Sequence, residues 1–434
     1  MKLAVLEPGH FHAALLQKKM YPAIDPRVHV YAQEGPELRD YLQKIDAYNA
    51  RQEGPTRWQS ITYTGADCVE RLISEKAAEV VVIAGNNRHK TEQLRRAVAA
   101  GMHVLADKPM VIDAAGFAAL EDAFAVAHRN KVLLYDIMTE RHEITTLLQK
   151  EFSTIRSVFG ELVQGSAQQP AVTKESVHHF SKLVSGTPIR RPAWFFDVAQ
   201  QGEGLVDITT HLVDLVQWEC FPEQIIDYRR DVRIVSARRW PTELTAAQFE
   251  RVTGLASYPA FLRKDMLANG NLQVFANGEI NYVLRGVHAK VSVIWNFAAP
   301  EGTGDTHYSI MRGTHANLVI RQGAAEDYQP VLYIEAPESS DSATLTRALQ
   351  HALPQVQAKY PGVTLKHSPD GWQVVVPARY HVGHEAHFGQ VADQFLGYVQ
   401  RGAMPEWEVP NMLAKYYTTT TALTAARESR SARP

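Results

Sequence analysis

The first 135 residues alternate between short apolar runs and longer stretches in which apolar residues recur at helical spacing. Val80–Ala84 (VVVIA) is a continuous β-branched run of the kind found in buried parallel strands. Other short apolar runs lie at Lys2–Leu6, Val28–Ala32, His103–Ala106 and Val132–Tyr135. Stretches of helical spacing lie at Phe11–Met20, Glu37–Trp58, Ala66–Lys76, Thr91–Ala100 and Ala114–Arg129. Strands that alternate with helices predict an α/β fold with a parallel, doubly wound sheet.

The first strand, turn and helix follow the order of a dinucleotide-binding unit, in which a glycine turn and a helix N-terminus hold a pyrophosphate. The fingerprint G-x-G-x-x-G would fall on Glu7, Gly9 and His12, and only Gly9 matches. A plain buried strand with a turn fits this stretch equally well. We predict a Rossmann dinucleotide-binding domain over residues 1–138. The candidate phosphate-site residues are Gly9, His10, Phe11 and His12, of which the two histidines also suit helix capping.

Glu34 follows the second predicted strand. An acidic residue at the end of that strand binds the ribose hydroxyls of the adenosine in this fold. No arginine follows at once, so the sequence favours NAD over NADP. The alternative is an exposed loop glutamate.

Residues 139–434 show a different pattern, with short β-rich runs that predict an α+β domain with a mostly antiparallel sheet. Val158–Gln164 opens this domain, and the β-rich runs lie at Leu272–Phe275, Glu279–Leu284, Lys290–Trp295, Tyr308–Met311 and Ala316–Arg321. Near 326–377, a strand at Val331–Ile334, a helix at Ser342–Tyr360 and a hairpin around Asp370 predict an inserted β-α-β-β unit. A final helix is predicted at Gln390–Gln400.

Gly202–Asp214 (GEGLVDITTHLVD) predicts a buried amphipathic helix, because apolar residues recur there at three- and four-residue steps. On that helix Asp207, His211 and Asp214 would share one face. An imidazole one turn from a carboxylate is a usable proton acceptor. The alternative is a solvated face that carries an ordinary Asp–His pair.

Composition limits the possible partners. The formal net charge is −2 with no basic block, so we expect no nucleic acid. Two cysteines cannot build a disulfide framework, and no apolar run is long enough to span a bilayer. The N-terminal apolar run is too short for a signal peptide. We therefore expect a soluble, cytoplasmic protein that does not bind membranes.

Two linked motifs give a family resemblance. GNNRH (85–89) follows one predicted strand, and GMHVLADKP (101–109) follows the next helix. This order resembles the Gfo/Idh/MocA oxidoreductases, although Asp107 replaces the family's glutamate. The resemblance implies that Lys108 contacts the nicotinamide ribose and the substrate hydroxyl. The other implied cofactor residues are Gly85, Asn86, Asn87, His89, Asp107 and Pro109.

The second half carries the family's later motif, a Trp, spaced glycines and D-x-x-x-H. Here it consists of Trp194, Gly202, Gly204, Asp207 and His211, with Thr209 in place of a family glycine. The resemblance implies that His211 and Asp207 are catalytic. The candidate substrate-binding residues are His178, Lys182, Trp194 and His211.

The start PGHFHAAL and the insertion resemble a branch of the family with a distinct C-terminal region. His381, His384 and His387 follow at three-residue steps, but they sweep round a helix, so we expect no metal site and favour cleft lining or capping. In the family an open sheet face often forms a subunit interface, which implies a homodimer or homotetramer.

We therefore predict an NAD(P)-dependent oxidoreductase that acts on a sugar, polyol or related hydroxyl. In this hypothesis His211 takes the hydroxyl proton, Lys108 stabilises the alkoxide and Asp207 orients His211. Two alternatives stay open: an NAD-dependent glycosidase that oxidises its substrate transiently and eliminates the aglycone, and a non-catalytic sensor of a small ligand on the same fold.

Overall fold

The computed structural model describes residues 1–184, 187–337 and 342–431. Its strands are β1 Leu3–Leu6, β2 Arg27–Ala32, β3 Gln59–Thr64, β4 Val80–Ile83, β5 His103–Ala106, β6 Leu134–Asp136, β7 Val172–Ser181, β8 Leu183–Val184, β9 Thr187–Pro188, β10 Val232–Leu244, β11 Leu272–Leu284, β12 Val287–Ala298, β13 Thr306–Arg312, β14 Asn317–Gln322, β15 Val331–Glu335, β16 Thr364–Ser368 and β17 Gly371–Val375. Its α-helices are α1 His12–Leu15, α2 Pro36–Ala50, α3 Cys68–Glu75, α4 Lys90–Ala99, α5 Ala114–Arg129, α6 Ile144–Ser153, α7 Arg156–Phe159, α8 Val198–Gln201, α9 Thr209–Cys220, α10 Tyr228–Asp231, α11 Ala246–Thr253, α12 Ser342–Lys359, α13 His384–Arg401 and α14 Glu408–Ser431.

The N-terminal sheet has six strands in the order β3-β2-β1-β4-β5-β6, all parallel. β1 and β4 are buried along their whole length, which explains why these strands are apolar on both faces. This is the doubly wound order of a Rossmann fold, and it confirms the predicted fold class. The chain reverses its winding between β1 and β4, so the crevice at their carboxyl ends is the expected ligand site.

β3 is an edge strand that the sequence analysis missed. Its residues, Gln59–Thr64, are all exposed or half-buried, so no apolar stripe marks the strand. The predicted helix over Glu37–Trp58 instead ends at Ala50, shortly before Gly54 and Pro55. Pairing with the buried strand β2 places this polar segment in the sheet.

The first helix is much shorter than the Phe11–Met20 stretch predicted. It spans only His12–Leu15, and a 3₁₀ turn follows over Leu16–Lys18. Lys19 is extended, and the Lys18 carbonyl accepts a hydrogen bond from the Arg51 guanidinium instead of a helical N–H. These interactions end the helix early.

The second sheet has nine strands in the order β10-β11-β12-β7-β13-β14-β15-β17-β16. β12 and β7 are parallel, whereas the other neighbouring strands are antiparallel. The expectation of a mostly antiparallel sheet is therefore confirmed. In chain order this sheet begins at Val172, and the preceding stretch Val158–Gln164 includes the end of α7.

The C-terminal helices return to the first sheet. α13 begins at His384, six residues before the predicted start, and α14 follows it. The Tyr416 hydroxyl of α14 donates to Asp136 Oδ2 of β6 at 2.7 Å. One continuous apolar core therefore includes side chains from both sheets and from these helices. None of the helices in the described ranges combines the length and apolar character needed to cross a membrane.

Candidate active site

A cavity of about 1380 Å³ lies between the carboxyl ends of the first sheet and the second sheet. Its lining comes from the loops after β1, β4 and β5, from β7 and the turn before α9, and from the start of α13, which packs on the loop after β1. Open α/β sheets bind their ligands at this switch point, so the cavity is the candidate active site.

Lys108 and Asp207 meet at the centre of this cavity. Lys108 follows β5, and its Nζ lies 2.5 Å from Asp207 Oδ1. Asp207 reaches it because Gly204 packs directly on β11: a Cβ at Gly204 would lie 1.9 Å from the Ala276 carbonyl oxygen. Lys108 and Asp207 belong to the two separate motifs that carry the family resemblance, and the fold brings these residues into contact.

The predicted helix over Gly202–Asp214 is wrong in its first half. Residues 204–208 form turns, and α9 begins only at Thr209. Asp207 therefore does not share a helix face with His211, and its carboxylate is paired with Lys108. Asp214 lies elsewhere, in a buried cluster with Arg141 and Lys415. The four-residue spacing of Asp207 and His211 did not place them on one helix face, because the glycine-rich segment before Thr209 forms turns.

His211 lies on the first turn of α9 and lines the cavity. Its Nδ1 is buried and lacks a hydrogen-bond partner. Burial, together with the positive charge of Lys108, lowers the pKa of His211 well below its usual value. The imidazole is therefore neutral near pH 7 and can accept a proton.

A cluster of His10, His12 and Asp107 lines the same cavity. Asp107 Oδ2 lies 2.9 Å from His12 Nδ1 and 3.3 Å from His10 Nδ1. Burial opposes ionisation of Asp107, but the two histidines outweigh it, and the pKa of Asp107 is well below its usual value. Burial also lowers the pKa of both histidines.

The loop after β4 meets the first loop closely. A Cβ at Gly85 would lie 2.3 Å from the Glu7 carbonyl oxygen, so only glycine fits there without displacement. Asn87 lines the cavity and donates to the Gln201 carbonyl oxygen at 2.7 Å. Asn86 donates to Gln200 Oε1 at 2.7 Å and does not line the cavity.

His89 is exposed at the start of α4 and does not line the cavity, in contrast to its predicted cofactor contact. The next residue, Lys90, is buried instead, and its Nζ donates to Asn87 Oδ1 and to the Asp107 carbonyl oxygen. Burial lowers the pKa of Lys90 to about 8. The sequence analysis missed Lys90, because a lysine beside a polar loop usually marks a surface.

The remaining predicted cofactor residues occupy different positions. Phe11 lines the cavity, and Gly9 lies against Trp194, whose Cζ2 would be 3.2 Å from a Cβ at Gly9. Pro109 is buried but does not line the cavity. Glu34 is exposed after β2, at the same edge of the sheet but outside the cavity lining.

His178, Lys182 and Trp194, the candidate substrate residues, also line the cavity. Asp305, which the sequence analysis missed, joins them: its carboxylate accepts from Lys182 Nζ at 2.7 Å and lies 3.5 Å from His178 Nδ1. No short motif surrounds Asp305, so only the fold brings it here.

Glu140 and the C-terminal histidines complete the lining. Burial, with the nearby Glu143 charge, raises the pKa of Glu140 to about 7. His384 reaches the Glu140 carboxylate at 3.9 Å and contacts the region of His12, with ring centroids 6.0 Å apart. His381 and His387 also line the cavity, but none of the three histidines forms a ligand cluster with the other two among the described residues.

The geometry fits a dinucleotide at the switch point. Glu7 stands where the fingerprint has its first glycine, but its carboxylate accepts from Gln93 Nε2 at 2.5 Å and does not line the cavity. The loop at Gly9 therefore does not direct this negative charge at a phosphate. Lys108 and the neutral His211 line the same cavity.

Two family models match the chain. "Oxidoreductase family, NAD-binding Rossmann fold" matches residues 28–135, and "Putative oxidoreductase C terminal domain" matches residues 148–427. No curated protein matches the sequence.

Solved structures match over nearly the whole chain. A putative oxidoreductase from Parabacteroides merdae is 53% identical, with a TM-score of 0.97 over 99% of this chain and 98% of that chain. Levoglucosan dehydrogenase in complex with NADH and levoglucosan is 13% identical, with a TM-score of 0.62 over 99% and 97%. A 3-ketoreductase from Actinomadura kijaniata, with TDP-benzene and NADP, is 15% identical, with a TM-score of 0.56 over 98% and 97%. The latter two share the fold.

Proposed function

The chain belongs to the Gfo/Idh/MocA family of oxidoreductases, in the branch with the distinct C-terminal domain, and we propose that it transfers hydride between a nicotinamide cofactor and a hydroxyl of a sugar or polyol. One observation carries this proposal. A buried, neutral His211 with an unpartnered Nδ1 shares a cavity with the ammonium group of Lys108. A ligand-sensing protein would not need a proton acceptor beside a buried cation.

The loop Gly9–His12, the loop at Gly85 and Asn87, and Lys108 would hold the cofactor, with Glu34 toward the adenosine ribose. When bound, the nicotinamide accepts or supplies the hydride. Glu34 supports NAD over NADP, because a carboxylate repels a 2′-phosphate.

The protein's own residues supply the proton transfer. Alcohol oxidation requires the hydroxyl proton to leave as the C–H bond breaks, and His211 accepts that proton. Lys108 stabilises the negative charge that develops on the oxygen. Asp207 holds the Lys108 ammonium group in place through its 2.5 Å hydrogen bond. Asp207 thus acts through Lys108, which replaces its predicted role on His211.

The polar residues of the cavity lining support a hydroxyl-rich substrate. Lys182 and His178 offer donors, Asp305 offers acceptors, and Trp194 presents an aromatic face. Alternating donors and acceptors beside an aromatic ring suit a sugar, which has hydroxyls at its edge and apolar C–H faces. Levoglucosan dehydrogenase, which shares the fold, binds a sugar-derived substrate in its solved complex.

Glu140 favours a second candidate reaction. A carboxyl whose pKa is raised to about 7 can donate a proton to a leaving group as well as take one back. An NAD-dependent glycosidase would need this acid to protonate the aglycone during elimination. The two reactions differ in net redox change, so product analysis separates them.

Calorimetric titration with NAD and NADP, followed by incubation of the protein with NAD and a panel of sugars, polyols and glycosides, tests the proposal. A dehydrogenase accumulates reduced cofactor in proportion to the oxidised product. A glycosidase releases aglycone with catalytic NAD and no accumulation. Absence of dinucleotide binding at millimolar concentration would exclude both.

A further inference from the structure

The loops after β1 and β5 together carry a cluster with the composition of a metal site. His10, His12 and Asp107 each offer one ligand atom, and these atoms lie within 4.8 Å of one another. Each of the two histidines approaches the same carboxylate oxygen, at 2.9 Å and 3.3 Å. Two ligands that share one metal ion at about 2.1 Å are separated by roughly 3.0–3.4 Å. Little movement would therefore place an ion among the three groups.

Two polar atoms of the cluster lack hydrogen-bond partners. Asp107 Oδ1 is buried and has no partner, and His10 Nδ1 is buried with only the 3.3 Å approach to Asp107 Oδ2, which falls outside hydrogen-bond geometry. The Asp107 side chain is 95% buried, because only 5% of it is exposed, and it lies at the cavity wall. An unsatisfied carboxylate oxygen in such a place costs free energy unless a ligand contacts it.

The neighbouring ammonium groups are directed to other partners. Lys90 Nζ donates to Asn87 Oδ1 and to the Asp107 main-chain carbonyl, while Lys108 Nζ is paired with Asp207. Neither hydrogen-bonds the Asp107 carboxylate. The cavity also holds a second histidine–aspartate cluster, His178 and Asp305. Its carboxylate does have an ammonium partner, because Lys182 Nζ lies 2.7 Å from Asp305.

We propose that His10 Nδ1, His12 Nδ1 and the Asp107 carboxylate bind one divalent first-row transition metal ion, such as Zn²⁺, Co²⁺, Mn²⁺ or Fe²⁺. Two imidazoles and one carboxylate form the ligand set typical of such ions. The three ligands line the cavity, so the remaining coordination positions open into it. An oxygen atom of a substrate can occupy them. The proposal does not rest on the proposed function, since it concerns the protein without dinucleotide.

The test is metal binding by tag-free protein that has been treated with a chelator and dialysed. Zn²⁺ is titrated by calorimetry, Co²⁺ is followed by its visible absorption, and bound metal is counted by mass spectrometry. We expect one ion per chain. Loss of even an outer partner of a metal ligand lowers affinity by about 10–100-fold, so Asp107→Asn and His10→Ala should each weaken binding by at least about 10-fold.

The matched control is Asp305→Asn, which removes the carboxylate of the other histidine–aspartate cluster. It should leave the affinity and the Co²⁺ spectrum unchanged. Circular dichroism checks that each variant is folded. If Asp107→Asn does not fold, His10→Ala alone tests the proposal. The proposal is overturned if the wild type binds neither ion at millimolar concentration, if both loop variants bind as tightly as the wild type, or if Asp305→Asn weakens binding as much as they do.

Discussion

Lys108 Nζ donates a 2.5 Å hydrogen bond to Asp207 Oδ1, although the two residues are 99 positions apart in the sequence. Both side chains are more than 90% buried. The bond joins the loop after β5, in the first half of the chain, to the turn that precedes α9, in the second half. The position of the Lys108 ammonium group therefore depends on how the two halves of the chain pack.

The first prediction concerns Asp207→Asn. Removing one partner of a buried ion pair leaves an uncompensated charge, which costs about 3–5 kcal/mol. We expect Asp207→Asn to lower the free energy of unfolding by an amount in this range, measured by urea denaturation. The double variant Lys108→Met/Asp207→Asn should recover part of the loss, because neither charge is then left alone. Strictly additive losses would show that the two groups do not interact.

The second prediction concerns pH. The folded-state pKa of His211 is lowered by burial, while the unfolded chain titrates near about 6.5. As pH falls below that value, the unfolded state takes up a proton that the folded state refuses, so stability is lost on acidification. One such proton changes the free energy of unfolding by up to about 1.4 kcal/mol per pH unit.

We therefore expect the free energy of unfolding of His211→Gln to depend less steeply on pH between 7 and 5 than that of the wild type, as measured by denaturation at several pH values. His128→Gln, at a solvent-exposed histidine on α5, is the control and should follow the wild type. Parallel curves for all three proteins would contradict the prediction.

The third prediction concerns the buried cluster that ties α14 to the first sheet. Lys415 Nζ lies 2.6 Å from Asp136 and 3.0 Å from Asp214. Lys415→Met should therefore lower the free energy of unfolding by about 3–5 kcal/mol. The matched control is Lys359→Met, which breaks a pair between an exposed lysine and Glu151 and should cost about 0–1 kcal/mol. Equal losses in thermal or chemical unfolding would refute the role of the cluster.

Much of the fold was predictable, because buried parallel strands such as β4 are apolar on both faces and therefore easily recognised. β3 was not predictable, since an exposed edge strand carries no apolar stripe. The ends of helices were the other weak point: helical spacing continues beyond Leu15 and begins before Thr209, yet tertiary contacts and glycines decide where the helices run.

Sequence motifs pointed to some of the residues that line the cavity and not to others. Lys108, Asp207 and His211 line the cavity where the resemblance implied a site. The partners within the site were not predictable, because Asp207 bonds to Lys108 rather than to its near neighbour His211. Lys90 and Asp305 carry no sequence signal: Lys90 is recognised only by its burial, and the half-buried Asp305 only by its contacts with Lys182 and His178 in the folded chain.

The fourth prediction concerns cofactor preference. Glu34 is exposed after β2, where the fold places the adenosine ribose. We expect the wild type to bind NAD more tightly than NADP, and Glu34→Ala to narrow the difference, because the carboxylate no longer repels the 2′-phosphate. Calorimetric titration with both cofactors measures this, with Glu37→Ala, in the first turn of α2, as the control. Tighter binding of NADP by the wild type would assign the ribose contact to another residue.

The fifth prediction tests the central claim, that His211 accepts the substrate proton. The measurement is single-turnover reduction of NAD across pH with a substrate from the sugar panel, for the wild type and His211→Ala. A general base typically contributes about 10²–10⁴-fold, so we expect His211→Ala to react more slowly by roughly this factor, with nearly unchanged NAD affinity and without the wild-type loss of rate at acidic pH. A His211→Ala protein with the full rate and the wild-type pH profile would contradict the account.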